Sequence, residues 1–452
     1  MITYSAIKKS QLEGAHRLDA EYYCAPDNIK NDFLYGRDVV DYVQYGTSKE
    51  LNENKAGYPV LRLNEYEEYF ISKPGKYCNK INENTYKQLK LKKKDVLICR
   101  TNGNPDLVGR AAIVMEDTNY AFASYLFRIR TKETLVKPAF IVVYLNSRAG
   151  RCQIEKYLMP SIQSNFSPAK FAEIKIPTLP LAFQKKIEEL VKTAYALMQK
   201  SKSLYSQAEN LLLEELGLDE FKIKSEIANV VNLSEVKETG RMDAEYFQAK
   251  YEILIARLKE CRAKPLRELV SMKKGFEPGS EAYQEEGKVF IRVSSLSKHG
   301  IDEKDQKYLA DETYRKLRGD YEPKVGEILL TKDATPGTAY YLKEQIEGVI
   351  SSGIMRLKII DKKNVAPEYL AICINSLIGQ MQVERDAGGS IIMHWKPKQI
   401  LELLIPLLPI GKQRKIADLV RRSHEARKKS KELLEEAKRK VEEMIDREAV
   451  ND

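Results

Sequence analysis

Gln184-Lys-Lys-Ile-Glu-Glu-Leu-Val191 reappears as Gln413-Arg-Lys-Ile-Ala-Asp-Leu-Val420, with Gln184 and Gln413 229 residues apart. Reading outward from these strings finds most of the chain written twice. Ile176-Pro177 answers to Ile405-Pro406, and Asn146-Ser147 to Asn375-Ser376. Asp95-Val-Leu-Ile-Cys-Arg100 matches Glu327-Ile-Leu-Leu-Thr-Lys332, and Pro59-Val-Leu-Arg-Leu-Asn64 matches Val289-Phe-Ile-Arg-Val-Ser294. Each copy is headed by one short string, Arg17-Leu-Asp-Ala-Glu-Tyr-Tyr23 and Arg241-Met-Asp-Ala-Glu-Tyr-Phe247. Alternating charges beside tyrosines are expected to clamp that segment onto its neighbours.

Both copies keep one internal order. Short apolar runs (58–63, 96–99 and 111–114; 289–293, 328–331 and 339–342) are punctuated by Gly, Asn and Pro, which predicts strands joined by turns. A helical stretch follows (138–150 and 367–380), then a Pro-bounded strand (174–180 and 403–409). The last element differs in kind. Residues 181–216 and 410–445 are filled with strong helix formers. Leu190, Ala194, Leu197, Ser201, Leu204, Ala208 and Leu211 alternate spacings of four and three, the mark of a coiled-coil seam. Leu419, Ser423, Ala426, Ser430, Leu433 and Ala437 hold the corresponding places, and one heptad position is small throughout.

This order predicts an α+β chain with two mixed α/β domains in a pseudo-two-fold arrangement, separated by an antiparallel two-helix coiled coil. The expected boundaries are 1–180 for the first domain, 181–217 for the first long helix, 218–409 for the second domain (with a connecting segment at 218–264) and 410–452 for the second helix. At 1.5 Å per residue such a helix is about 54 Å long, more than one turn of B-DNA.

Composition narrows the function. The chain has 452 residues, 43% of them hydrophobic and 31% charged, enough for sizeable cores under an ordinary surface. Its net charge of +10 permits nucleic-acid binding without demanding it. Six scattered cysteines form no CxxC pair, and four histidines are dispersed, so no metal site and no catalytic triad is expected. There is no GxxxxGK[ST], HExxH or post-strand GxGxxG motif. Asn104-Pro-Asp-Leu107 lacks the second proline and the aromatic of an amino-methyltransferase loop and reads as a turn. With no signal-peptide pattern and no continuous apolar span, the expectation is a cytoplasmic protein with no membrane association.

The paired order of an alternating-strand module, an Ile-Pro strand, a helix start and a long heptad helix resembles the DNA-specificity subunits of type I restriction–modification systems. Those helix starts read Pro180-Leu-Ala-Phe-Gln184-Lys-Lys-Ile187 and Pro409-Ile-Gly-Lys-Gln413-Arg-Lys-Ile416. The resemblance implies a non-catalytic subunit in which two target-recognition domains each read half of a bipartite, asymmetric site in double-stranded DNA. It further implies that the helices dock two methyltransferase (modification) subunits, and that restriction subunits with nuclease and translocase activity join them. No cofactor is then expected on this chain. S-adenosylmethionine, ATP and Mg²⁺ would belong to the partners. A stand-alone coiled-coil adaptor that binds only proteins is the competing reading.

Sequence readout needs donors and acceptors at base edges and cations at phosphates. Polar turns supply them in the first copy as Gln44, Tyr45, Lys49, Arg62, Asn64, Arg100, Asn102, Asn104, Gln163 and Asn165. In the second copy they are Lys273, Lys274, Arg292, Ser294, Lys332, Thr335, His394 and Trp395. Arg128 and Arg356 are set aside as structural ion-pair partners, a role open to Arg62 and Arg292 as well. The intervening loops differ between copies, so the two half-sites are expected to differ.

Overall fold

A computed structural model of the chain describes residues 32–158, 164–219, 230–302, 306–388 and 393–448. Packing divides it into two units: residues 1–198 with 428–452, and residues 199–427. The division falls within the two long helices, Leu181–Glu215 and Ile410–Glu448. Each unit therefore takes one segment of each helix into its own core.

Among the described residues of unit 1, a six-stranded sheet runs in the order Val40–Tyr45, Leu126–Thr131, Val96–Cys99, Ala111–Ile113, Phe70–Ile71, Tyr66–Glu67. A smaller sheet pairs Tyr58–Leu61 with Ala121–Phe122 (parallel) and Lys76–Cys78 (antiparallel). Unit 2 repeats the plan with Val270–Lys274, Ile354–Ile359, Ile328–Thr331 and Ala339–Tyr341 in one sheet. Its second sheet sets Lys288–Ile291 between Lys307–Leu309 and Gly348–Ile350. The central strand of each main sheet (Val96–Cys99, Ile328–Thr331) is wholly buried, which is why it reads as an unbroken apolar run.

The same buried ion pair organises both sheets. Arg128 bonds Asp95 at 3.0 Å with both side chains inside the protein, and Arg356 grips Glu327 through Nε and Nη2 at 2.7 and 2.9 Å. A buried guanidinium is better tolerated when it has further hydrogen-bond partners besides the carboxylate. Arg128 donates to the carbonyls of Lys90 and Gln88, and Arg356 to that of Asp320.

The helical stretch expected to be single is two helices in each unit: Pro138–Asn146 then Arg148–Tyr157, and Pro367–Asn375 then Leu377–Asp386. The repeated Asn-Ser pair makes the corner. Asn146 bonds both the N–H and the carbonyl of Ala111, and Asn375 does the same with Ala339. Ser147 caps the following helix by accepting from Gly150 N–H at 3.3 Å. A Cβ on Gly150 would lie 2.0 Å from the Tyr144 carbonyl oxygen, and one on Gly379 2.2 Å from that of Ile374, so the corner admits only glycine there.

The "P-L-x-x-Q" string also has a physical account. Gln184, 1% exposed, donates to the carbonyls of Leu135 and Leu179 and accepts from Lys137 N–H at 2.8 Å. Gln413, equally buried, donates to Asn364 and Leu408 and accepts from Ala366 N–H. Each glutamine welds the start of a long helix to its module.

In both units the two helix segments run antiparallel with small residues between them. In unit 1 the Ser430 hydroxyl donates to the Ala194 carbonyl at 2.7 Å. In unit 2 Ser423 donates to the Ser201 carbonyl at 2.7 Å, and the two hydroxyls lie 3.0 Å apart. Ala194, Ser201, Ala208, Ser423, Ala426, Ser430 and Ala437 are buried as the heptad requires. The large seam residues differ from expectation by one position. Val191, Met198, Tyr205 and Leu212 are buried in the first helix, whereas Leu190, Leu197 and Leu211 are only partly so; Leu204 is buried as well. In the second helix Val420 and Leu434 take the places expected of Leu419 and Leu433. The core side of each small position is the one that faces its own sheet and helices, and the neighbouring leucines line the flank.

A hairpin in each unit reaches this helix pair. In unit 1 Phe70 packs edge-on against Tyr195, and Lys431 meets Glu68 at 3.5 Å. In unit 2 the Leu296–Ile301 hairpin brings His299 against Tyr205, and His424 Nε2 donates to the Lys298 carbonyl at 3.1 Å. Burial, with the positive charges of Arg427 and Lys298, depresses His299 to about 2, and burial depresses His424 to about 4. The heading string Arg241–Phe247 docks as expected: Arg241 pairs with Asp243, stacks on Tyr246 and donates to the Asp386 carbonyl, while Arg385 bonds the Tyr246 hydroxyl. Its counterpart at Arg17, Asp19 and Glu21 lies outside the described residues.

Two outcomes follow. Gln184→Ala and Gln413→Ala each strand buried backbone groups and are expected to cost about 1–3 kcal/mol, read as a lower urea midpoint. The neutral imidazoles act through pH: unfolded histidines gain protons below about 6.5 while the folded ones do not. Unit 2 thus loses stability as pH falls from 6.5 toward 4, by up to about 1.4 kcal/mol per pH unit for each imidazole. Burial raises Asp386 to about 6, which acts in the opposite sense. His424→Gln should therefore flatten the acid loss between pH 6.5 and 5 relative to the parent chain, measured by melting at each pH.

Candidate nucleic-acid interface

Part of the sequence-predicted polar set gathers where the buried central strand of each unit ends. In unit 1 that strand delivers Arg100, whose N–H donates to the Tyr125 carbonyl at 2.7 Å. Phe166 N–H donates to the Arg100 carbonyl at 2.7 Å, drawing Ser164–Asn165 alongside Thr101–Asn102. The Arg100 guanidinium lies 5.4 Å from the ring centre of Tyr45, which ends the edge strand and is 47% exposed. Tyr45, Arg100, Asn102 and Asn165 are thus brought together.

Unit 2 builds the same corner from the same backbone bonds. Lys332 N–H donates to the Gly353 carbonyl and Trp395 N–H to the Lys332 carbonyl, both at 2.8 Å. His394 bridges Asp333 as Asn165 pairs with Thr101. Lys274 ends the edge strand in the place of Tyr45 and is exposed. Asp333 accepts from Lys332 Nζ through one oxygen and meets His394 Nδ1 at 2.8 Å through the other. Burial alone would raise this carboxyl, but the hydrogen bonds from Lys332 and His394 outweigh it and hold Asp333 below its usual range.

Several expected contacts are otherwise engaged. Trp395 is 1% exposed and fills the core at the place of the buried Phe166; it is an anchor and not a base contact. Gln44 and Lys273 lie in the edge strands rather than in loops. Gln44 accepts from the buried Arg128, and Lys273 pairs with Asp320 at 2.7 Å. Arg62 closes a turn on Glu65, its backbone N–H and guanidinium reaching the carboxylate at 2.7 and 2.9 Å. The Arg292 backbone N–H makes the analogous bond to the Ser295 hydroxyl. Asn102 and Asn104 accept from backbone N–H groups two residues on, bending the chain at 102–106. Lys49, Asn64, Ser294 and Thr335 are exposed, although the Thr335 carbonyl is held by the Thr331 hydroxyl. Gln163 lies outside the described residues.

Two residues were missed. Tyr125, 52% exposed, stands on the turn that receives the Arg100 N–H; an aromatic in Ala123-Ser-Tyr-Leu126 gave no sign of exposure beside buried neighbours. Asp333 is the other, and its place between Lys332 and His394 becomes visible only in the fold. Among the described residues no group of three or more His, Cys, Asp or Glu is placed to hold a metal ion, and no helix is long and apolar enough to cross a membrane.

The family model for the type I restriction modification DNA specificity domain matches residues 37–209 and 259–438. This chain belongs to that family. In such systems the specificity subunit is the DNA-recognition protein, and catalysis resides in partner subunits. Over 433 residues, 90% of either chain, it is 22% identical to a protein of Methanocaldococcus jannaschii named as the MjaX type I restriction enzyme specificity subunit. It is 27% identical over 176 residues (38% of this chain and 36% of the other) to the EcoKI specificity subunit of Escherichia coli K12. A crystal structure of the type I S subunit from M. genitalium aligns with 93% of this chain and 96% of its own at 14% identity, with a TM-score of 0.42.

The two kinds of corner residue should separate by experiment. Trp395→Ala is expected to cost about 3–5 kcal/mol of stability, seen as early melting. Lys274→Ala should leave melting unchanged and, if the lysine meets a phosphate, lower the slope of log affinity against log salt by about 0.9.

Proposed function

We propose that the chain recognises a bipartite, asymmetric site in double-stranded DNA, one half-site per unit, and scaffolds two methyltransferase subunits through its long helices. Restriction subunits join this assembly, and S-adenosylmethionine, ATP and Mg²⁺ act on the partners. One observation carries the reading. Equivalent backbone bonds hold equivalent corners, yet the side chains placed there differ: Tyr45 against Lys274, Arg100 against Lys332, Tyr125 against Gly353, Asn165 against His394. A conserved frame with divergent projecting groups suits two readers of different sequences, since phosphate contacts position while base contacts specify.

The test is an exchange of residues 1–180 for the equivalent part of another type I specificity subunit. Co-expressed with the methyltransferase subunit and read by methylome sequencing, the hybrid should change one half of the methylated motif and keep the other. Change in both halves would defeat the modular reading. A parent chain that confers no motif, and binds DNA only in a salt-sensitive, sequence-indifferent way, would instead favour the protein adaptor.

A further inference from the structure

Unit 2 carries a Lys–Asp–His triad at its corner that has no counterpart among the described residues of unit 1. Asp333 lies between Lys332 and His394, one carboxylate oxygen on each. The lysine is largely covered, with 12% of its side chain exposed against 60% for His394, so the imidazole is the member offered to solvent. An ionised carboxylate only accepts, so the nitrogen facing it, Nδ1, carries the proton. In its neutral form His394 then has a bare Nε2, a hydrogen-bond acceptor.

The backbone leaves this imidazole little freedom. His394 exchanges both backbone bonds with Gly388, at 2.8 and 3.2 Å, and Trp395 beside it is locked in the core. Opposite, Ala334 adopts a left-handed φ of 59° and donates its N–H to the Met393 carbonyl at 2.9 Å. Such a conformation is costly for a residue with a Cβ, and it persists where the surroundings over-determine it. The turn that presents Asp333 is therefore held from both sides. In unit 1 the counterpart of Asp333 is Thr101, whose hydroxyl accepts from Arg100 Nε at 3.2 Å, and Asn165 takes the histidine's place. A primary amide both donates and accepts. The Asp333-bound imidazole in its neutral form, with Nδ1–H given to the carboxylate, offers only an acceptor outward.

We infer that Asp333 is a positioning residue for base readout by unit 2: it fixes His394 as the Nδ1–H tautomer and directs the bare Nε2 at an amino group in the major groove. The groups of that chemistry are N4 of cytosine and N6 of adenine, and a keto oxygen at the same place is rejected. This rests on the DNA-recognition reading above.

The experiment uses the full chain in complex with its methyltransferase subunit. Histidine labelled with ¹⁵N reports the tautomer; the chain has four histidines, and His394→Asn identifies the relevant signal. The expected result is a protonated Nδ1 and a bare Nε2, with both tautomers populated in Asp333→Asn. In parallel, randomised DNA is selected with the parent complex, Asp333→Asn and His394→Asn. Each variant should lose discrimination by about 10-fold or more at one base pair of one half-site, leaving the other half-site unchanged. The base selected there by the parent tells cytosine from adenine. Should Asp333→Asn fail to fold, His394→Asn still decides, because it leaves the Lys332–Asp333 pair in place. A parent motif retained in full by the variants, or a protonated Nε2 in the parent, overturns this inference alone. A parent that selects no motif overturns the recognition reading as well.

Discussion

A serine hydroxyl on one long helix reaches a backbone carbonyl on the other, Ser430 to Ala194 and Ser423 to Ser201. That bond is possible only where two helices touch almost backbone to backbone, and the requirement propagates outward. Every seventh residue must be small, so the pair cannot build a core from its own seam alone. Larger side chains beside the seam, such as Val191 and Leu434 in unit 1 or Leu212 and Val420 in unit 2, complete the apolar surface against sheet and helices. The helices are therefore structural members of the modules as well as connectors between them.

Frame and candidate interface are kept apart within each module. The Arg128–Asp95 and Arg356–Glu327 pairs bury their charge at the start of the central strand, and the variable polar residues stand at its other end. Removing one member of a buried pair leaves an uncompensated charge, so that end tolerates little change. The far end is backbone-bonded corner and exposed side chain, where substitution alters chemistry without disturbing the sheet.

Much of this was legible in the amino-acid order. The duplication, the long helices, the small heptad position and the buried central strands all rest on periodicity and spacing, which local sequence carries directly. The phase of the large seam residues was less accessible. Leu190 and Val191 are both apolar, and only the position of each unit's sheet and helices decides which is enclosed. The corner was half visible: Arg100, Asn165, Lys332 and His394 are polar residues beside turn formers. Trp395 was misread because a tryptophan next to a histidine in a polar loop looks exposed, whereas its backbone N–H bond to Lys332 places the ring in the core. Gln44 and Lys273 were assigned to loops because their edge strands carry exposed residues and lack a clear apolar alternation.

The glutamine at the start of each long helix has an implication for how such chains diversify. Gln184 and Gln413 bond only to main-chain atoms, carbonyls and one N–H apiece. Their socket is indifferent to which side chains the receiving loop bears. Side-chain substitutions in that loop therefore leave the joint intact, so the loop can drift in sequence while the start of the helix stays anchored.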